Sequence, residues 1–439
     1  MIHIDSSKTY QTMAGFGVTV PGHTQALSPI YGRPLYEQLI GDLGCSVMRT
    51  LLPTQDGKTP DGGLLEIQAR DLADMASIKP GLKVIASIGA PPGVMRDESG
   101  SLKQGCEAEF AEYLLGLCGF FAQQGCPIDA LGLQDGPTTA GSCRYDAESY
   151  YRMFKALYNS KLRRGDKVML LAPEDECFIP SKVKNIVSRI NADKEACLFL
   201  DILAVRGNVD TSWHSLMWAR RENPAAKLRD LYRYVYRSLF DLVQPETQDV
   251  WVVHACGETP EWKHEVDYSK TVNVRDSAYM IRLPTGAMDL ALKVSAAVNS
   301  GFSAYVYGLA STVPPVDEAV TTDFTDPTKA LCDKGIKTKK YHAARHFFKY
   351  VAPGMVRIGA SSDDAVVSAF KSDRIVVVAI NDGNSILDTT VEIAGADVAR
   401  YTSYTSVGND FHAEESGVVT GNKIPVTMLP NSIVTFVAD

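Results

Sequence analysis

The chain has 439 residues, 45% of them hydrophobic and 22% charged, with a formal net charge of -8. That length accommodates an α/β barrel of about 250 residues together with a smaller unit. The acidic balance argues against a general nucleic-acid binder, and no apolar run reaches the roughly 18 residues of a membrane-spanning helix, so no membrane partner is expected.

The nine cysteines stand singly, with no Cys-x-x-Cys pair, so neither a structural zinc site nor any other cofactor is expected. An odd count fits reduced thiols better than a closed disulfide framework. Met1 to Asp5 lacks the basic region and apolar core of a signal peptide, which leaves a cytoplasmic protein and a chain trimmed of its leader both open.

In chain order, the alternation Ile2-His3-Ile4-Asp5 predicts a strand. From residue 13 to 344, short β-like runs alternate with amphipathic helical stretches, the pattern of a parallel sheet with crossover helices. The strands are predicted at 46–52, 83–88, 130–133, 167–172, 199–204, 250–254 and 304–307. Helices are predicted at 108–123 and at 146–162, the second with Asp146 as its N-cap. The basic run Lys337 to Lys340 reads as a solvated turn.

Past residue 345 the pattern becomes that of antiparallel strands, at 365–369, 374–380, 390–393, 399–405, 423–428 and 432–437, with Asn381-Asp382-Gly383-Asn384 as a turn. No Pro/Ser-rich linker separates the two regions, so residues 345–439, joined by residues 1–12, are expected to form a β-sandwich side domain docked on the barrel.

Several stretches are similar to glycoside hydrolase family 30, in particular to its glucuronoxylanase-like branch. Gln134-Asp135-Gly136-Pro137 resembles the family's Gln-Asn-Glu-Pro, Leu43 to Arg49 resembles Leu-Gly-Phe-Ser-Ile-Leu-Arg, and Ala86 to Pro92 parallels Ala-Ser-Pro-Trp-Asn-Pro-Pro. Phe347 to Ile358 resembles the family's link into its side domain, and Leu429 to Val437 its closing strand. The resemblance implies a (β/α)8 barrel with a docked antiparallel β-sandwich, an oligo- or polysaccharide ligand, and secretion as the family's usual setting.

Retaining glycoside hydrolysis needs two carboxyl groups about 5 to 5.5 Å apart, one protonating the leaving oxygen and one attacking the anomeric carbon. The resemblance puts Gly136 at the acid/base position and His254 at the nucleophile position. Glycine has no side chain to donate a proton, and imidazole lacks the negative charge that stabilises an oxocarbenium-like transition state. Gly89 replaces an expected tryptophan, and Gly308 follows Tyr305-Val306-Tyr307 in place of the family's aromatic run. Arg206 stands where a histidine would face the cleft, and the arginines that grip a glucuronate have no counterpart, so that specificity does not carry over.

The expected cleft lining is Arg49, Gly89, Asp135, Gly136, Arg206, Asn208, His254, Tyr305 and Tyr307, with Arg49 expected in a buried salt bridge rather than in catalysis. Carboxylates that could replace the missing pair are Glu174 as acid and Glu258 as nucleophile, with Asp135, Asp201 and Glu261 behind them; strand alternation counts against Asp135. His254 and Cys256 alone are too few ligands for a metal. Three functions follow as expectations: a protein that has lost two-glutamate hydrolysis and binds a glycan, an active hydrolase with relocated carboxylates, and a scaffold or interaction protein. The sequence leaves the oligomeric state open.

Overall fold

A computed structural model describes residues 1–20, 30–52, 62–138, 144–177, 180–209, 227–242, 248–256, 286–314, 325–326, 329–408 and 410–439. Strand β1 (Ile2–Thr12) leads into β2 (Gly15–Val20), β3 (Val47–Leu52), β4 (Lys83–Ile88), β5 (Ala130–Gly132), β6 (Met169–Glu176), β7 (Ile202–Arg206), β8 (Asp249–Ala255) and β9 (Ala304–Ser311). Strands β2 to β9 are parallel neighbours in sequence order, and pairing of β8 with β9 and of β9 with β2 closes them into an eight-stranded barrel. Two short strands, β10 (Ala330–Asp333) and β11 (Ile336–Lys337), extend the sheet beyond β9.

Alternation along each strand divides the barrel core in two. Val47, Ile85, Ala130, Leu171, Ile202, Trp251 and Val306 fill the lumen, while Val18, Met48, Leu170, Leu203 and Val250 face the helices outside. The helix Ala147–Arg164 starts where Asp146 accepts a hydrogen bond from the Ser149 amide at 2.7 Å and ends at Gly165 in the left-handed conformation. The helix Glu107–Gln123 begins one residue earlier than the apolar spacing predicts. Among the described residues no helix is long and apolar enough to cross a membrane.

The side domain is built from β12 (Val356–Ser362), β13 (Val366–Lys371), β14 (Ile375–Asn381), β15 (Leu387–Ala394), β16 (Arg400–Val407), β17 (Asp410–Val418), β18 (Lys423–Met428) and β19 (Ser432–Ala438). They form one nine-stranded sheet in the order β17-β16-β19-β14-β13-β12-β1-β15-β18, antiparallel except for the β1–β15 pair. The sheet curls so that Val391 and Ile424 from one end share a core with Val377, Val434 and Phe436 from the other. Strand β14 is buried on both faces because Val377 and Ala379 point into this core while Val376, Val378 and Ile380 pack against the barrel. The sandwich is thereby docked through a hydrophobic interface.

The basic run departs from its predicted solvated turn. Lys337 ends β11, Lys339 opens the helix Lys339–Phe348, and Lys340 is fully buried.

Candidate functional site

In a barrel of this kind the loops after the C-terminal ends of the strands form the working face. Lumen-facing positions at those ends gather Thr19 of β2, Arg49 of β3, Ser87 of β4, Glu174 and Glu176 of β6, Arg206 of β7 and His254 of β8. Asp135 and Asn208 join them from the segments that follow β5 and β7.

Arg49 is the hub. Its side chain is 1% exposed, and its Nη2 donates to Asp135 Oδ1 at 2.7 Å and to Glu174 Oε2 at 3.1 Å. Glu174 also accepts from the Ser87 hydroxyl at 2.5 Å, while its Oε1 is buried without a hydrogen-bond partner. Arg206 Nε lies 3.0 Å from Glu176 Oε1 and 3.9 Å from Asp135 Oδ1, so it links the second carboxylate of β6 to the same centre. Asn208 donates to Glu176 Oε2 at 3.1 Å and accepts from the Cys256 amide at 2.9 Å.

The backbone explains two placements that simple alternation misses. Strand β5 ends at Gly132, so the parity that would turn Asp135 away no longer applies three residues later; the Asp135 amide donates to the Ile88 carbonyl instead. On β6 the register shifts between Pro173 and Asp175, where Glu174 has φ of 59° and turns its carboxyl into the lumen. A Cβ on Gly132 would lie 1.6 Å from that carboxyl, so only glycine leaves room for it.

Burial and charge set the carboxyl groups apart. Burial pushes Glu174 up to about 7, with Arg49 opposing the rise. Burial likewise raises Glu176 to about 7 against the pull of Arg206. At Asp135 burial also acts upward, but Arg49, Arg206 and His254 together outweigh it and hold this carboxyl well below the usual range. His254 is held far below its ordinary pKa by burial and then by Arg206 and Arg49, so its imidazole is neutral near pH 7.

His254 Nδ1 lies 3.4 Å from Thr19 Oγ1 and its Nε2 lies 3.3 Å from Cys256 Sγ. The register shift at the end of β8 turns it inward, toward the lumen position of Thr19. Gly308 makes space for the thiol, since a Cβ there would stand 2.5 Å from Cys256 Sγ.

The expected lining residues divide accordingly. Arg49, Asp135, Arg206, Asn208 and His254 converge; Gly136 follows Asp135 with φ of 61°, and Gly89 is exposed just after β4. Tyr305 and Tyr307 do not line the cleft. They have the parity that faces the helices and belong to the outer core, whereas Val306 fills the lumen. Asp201 precedes β7 at the opposite end of the barrel, where it accepts from the Leu170 amide and pairs with Lys161. Glu258 and Glu261 lie outside the described residues. Glu176, Ser87 and Thr19 were not singled out in the sequence, although the first shares the β6 strand end with Glu174.

No protein-family model matches the chain, and no curated protein matches it. Solved structures do. A glycoside hydrolase family 30 endoxylanase from Clostridium papyrosolvens C71 superposes with a TM-score of 0.72 at 19% identity, covering 100% of this chain and 99% of its own. A family 30 subfamily 8 xylanase from Clostridium acetobutylicum gives a TM-score of 0.74 at 19% identity over the same shares. The fold is that of the family 30 glycoside hydrolases. An endo-β1,6-glucanase is also similar, with a TM-score of 0.69 at 17% identity, covering 99% of this chain and 93% of its own. At such identities the likeness establishes the family-30-like architecture of barrel and β-sandwich, and the chemistry rests on this chain's own side chains.

Proposed function

We propose that this family-30-like chain binds a glycan at the barrel mouth and does not perform two-carboxylate retaining hydrolysis. The observation that carries this reading is the pairing of three carboxylates at the mouth with guanidinium groups: Asp135 and Glu174 with Arg49, and Glu176 with Arg206. A retaining pair must present one carboxyl to the leaving oxygen and the other to the anomeric carbon. Glu174 is wholly buried, and the positions that resemble the family's acid/base and nucleophile are Gly136 and the neutral His254.

Partly exposed polar groups remain for recognition. Asp135 and Arg206 have 16% and 18% of their side chains exposed, and an ionised carboxylate beside a guanidinium offers acceptors and donors for sugar hydroxyls. Affinity electrophoresis and calorimetry over xylans, β-glucans and their oligosaccharides test this. One glycan class is retained by the wild type, and Asp135→Ala together with Arg206→Ala weakens it about tenfold or more, the scale of lost charge-assisted hydrogen bonds. Absence of binding across the panel contradicts the reading.

A second reading, an active hydrolase with relocated carboxylates, draws on one specific observation. The two legs to Arg49 Nη2 put Asp135 Oδ1 and Glu174 Oε2 no farther than 5.8 Å apart. Their pKa values are driven in opposite directions, as in a nucleophile and acid pair. Turnover lost in Glu174→Gln and Asp135→Asn would favour it over binding alone.

A further inference from the structure

A second concavity, of about 600 Å³, lies outside the barrel, between the helix Leu228–Phe240 and the strands β1, β12 and β13 of the side domain. Its lining includes Ser300 and Gly301, which precede β9, so it extends toward the end of the barrel opposite the mouth. Four arginines face it: Arg229, Arg233 and Arg237 from the helix and Arg357 from β12.

The helical arginines recur every fourth residue and therefore stack along one face. Like charges at that spacing repel, so this ridge weakens its own helix unless something neutralises it. The acids nearby do so only in part. Arg229 pairs with Asp382 at 3.0 Å, and Arg237 pairs with Asp241 at 3.1 Å on an exposed helical turn. Asp230 is occupied in accepting from the Lys227 amide, and Asp364 contributes its backbone carbonyl to Arg229. Arg233 makes no hydrogen bond or ion pair with any described residue.

On the facing wall Arg357 is 8% exposed and pairs with no carboxylate among the described residues. Its Nε donates to Gln11 Oε1 at 3.0 Å, and its guanidinium lies flat over the Tyr10 ring, 3.5 Å from the centroid. Gln11 is itself fixed by donating to the Val298 and Phe302 carbonyls. The buried cation is thus held in one orientation by neutral groups, with burial and the neighbouring Arg233 and Arg237 pulling its pKa down. Phe240, Leu292 and Val366 add apolar surface to the cavity wall.

We infer that this cavity is a binding site for a small organic oxyanion, a phosphate or sulfate ester whose charged head meets the arginines and whose body rests on the apolar wall. Planar guanidinium groups match tetrahedral oxyanions through paired N–H donors, and a cavity of this volume suits a ligand of monosaccharide size. The site is separate from the barrel mouth and independent of the glycan reading.

Calorimetry with glucose 6-phosphate, glucose 6-sulfate and unmodified glucose tests the site on the intact chain. The wild type binds the two esters saturably at one site, does not bind glucose there, and loses affinity as sodium chloride is raised. Arg233→Glu weakens ester binding at least tenfold, and Arg233→Glu with Arg237→Glu abolishes it; both residues are exposed, so circular dichroism shows an unchanged fold. A tighter phosphate than sulfate identifies the head group, and equal affinities identify a general oxyanion site. Absence of saturable ester binding in the millimolar range, ester binding undiminished by Arg233→Glu, or glucose binding as tight as the esters overturns the inference.

Discussion

Asp135 and Glu174 share a single guanidinium nitrogen, Arg49 Nη2, at 2.7 and 3.1 Å. The strand ends β3, β5 and β6 are tied together through that atom, and the two carboxyl groups are driven to opposite protonation preferences around it. The mouth of the barrel is in this sense a charge network closed upon itself.

Arg49→Met leaves Asp135 and Glu174 without their common counter-charge. Removal of one partner from a buried ion pair costs about 3–5 kcal/mol, and urea unfolding of this variant is expected to fall in that range. A loss below about 1 kcal/mol, typical of a surface pair, would show that the hub is not structural.

Glu174 gives stability an unusual pH dependence. Its folded pKa of about 7 lies above the ordinary value, so the folded chain holds this proton more tightly than the unfolded chain. The favourable term is complete below about pH 4.3 and is lost as pH rises through 7, on the order of 3 kcal/mol in all. Denaturant midpoints of wild type minus Glu174→Gln, followed from pH 4.5 to 8, should fall along that window. A difference that is flat or rises with pH contradicts the assignment.

The histidines at the barrel–sandwich interface act with the opposite sign. His342 stacks on Phe411 with centroids 4.1 Å apart, His346 stacks on His412 at 4.4 Å, and burial lowers His342 and His412 to about 4. Between pH 6.5 and 4 the unfolded chain takes up protons that the folded chain refuses, so stability falls as pH drops through that interval. His342→Phe keeps the stacking and should make this slope shallower; an unchanged slope places the acid sensitivity elsewhere.

Cys256 should be the readily alkylated thiol. Its Sγ lies 3.3 Å from His254 Nε2 and is only partly buried, and the Arg206 charge close by favours the thiolate, whereas burial raises the Cys118, Cys126 and Cys332 thiols. Peptide mapping after brief iodoacetamide treatment at pH 7.5 should find Cys256 modified ahead of those three. Arg206→Gln should slow it several-fold, and equal labelling of all four would remove the basis for this reactivity.

Most strands were legible because their apolar runs are confined to single elements; β4 of the barrel and β18 of the side domain fall at the predicted residues. Strands β2, β10, β11, β12 and β17 escaped notice, the last because most of its residues are exposed or only partly buried and so give no apolar alternation. Parity read locally misled in both directions at the site. It counted Asp135 out although β5 had already ended, and the motif match brought in Tyr305 and Tyr307 although Val306 holds the lumen-facing parity between them. Glu176 was hidden because its inward direction depends on the register shift at Pro173, which residue types alone do not announce.

The measurement that bears most directly on the account is release of new reducing ends from a panel of xylans, β-glucans and aryl glycosides, run in parallel on wild type and on Asp135→Asn, Glu174→Gln and Glu176→Gln. The account predicts no release above the blank from any of the four proteins, with glycan retention still present in the wild type. Sustained release by the wild type that disappears in one of the carboxylate variants would contradict it.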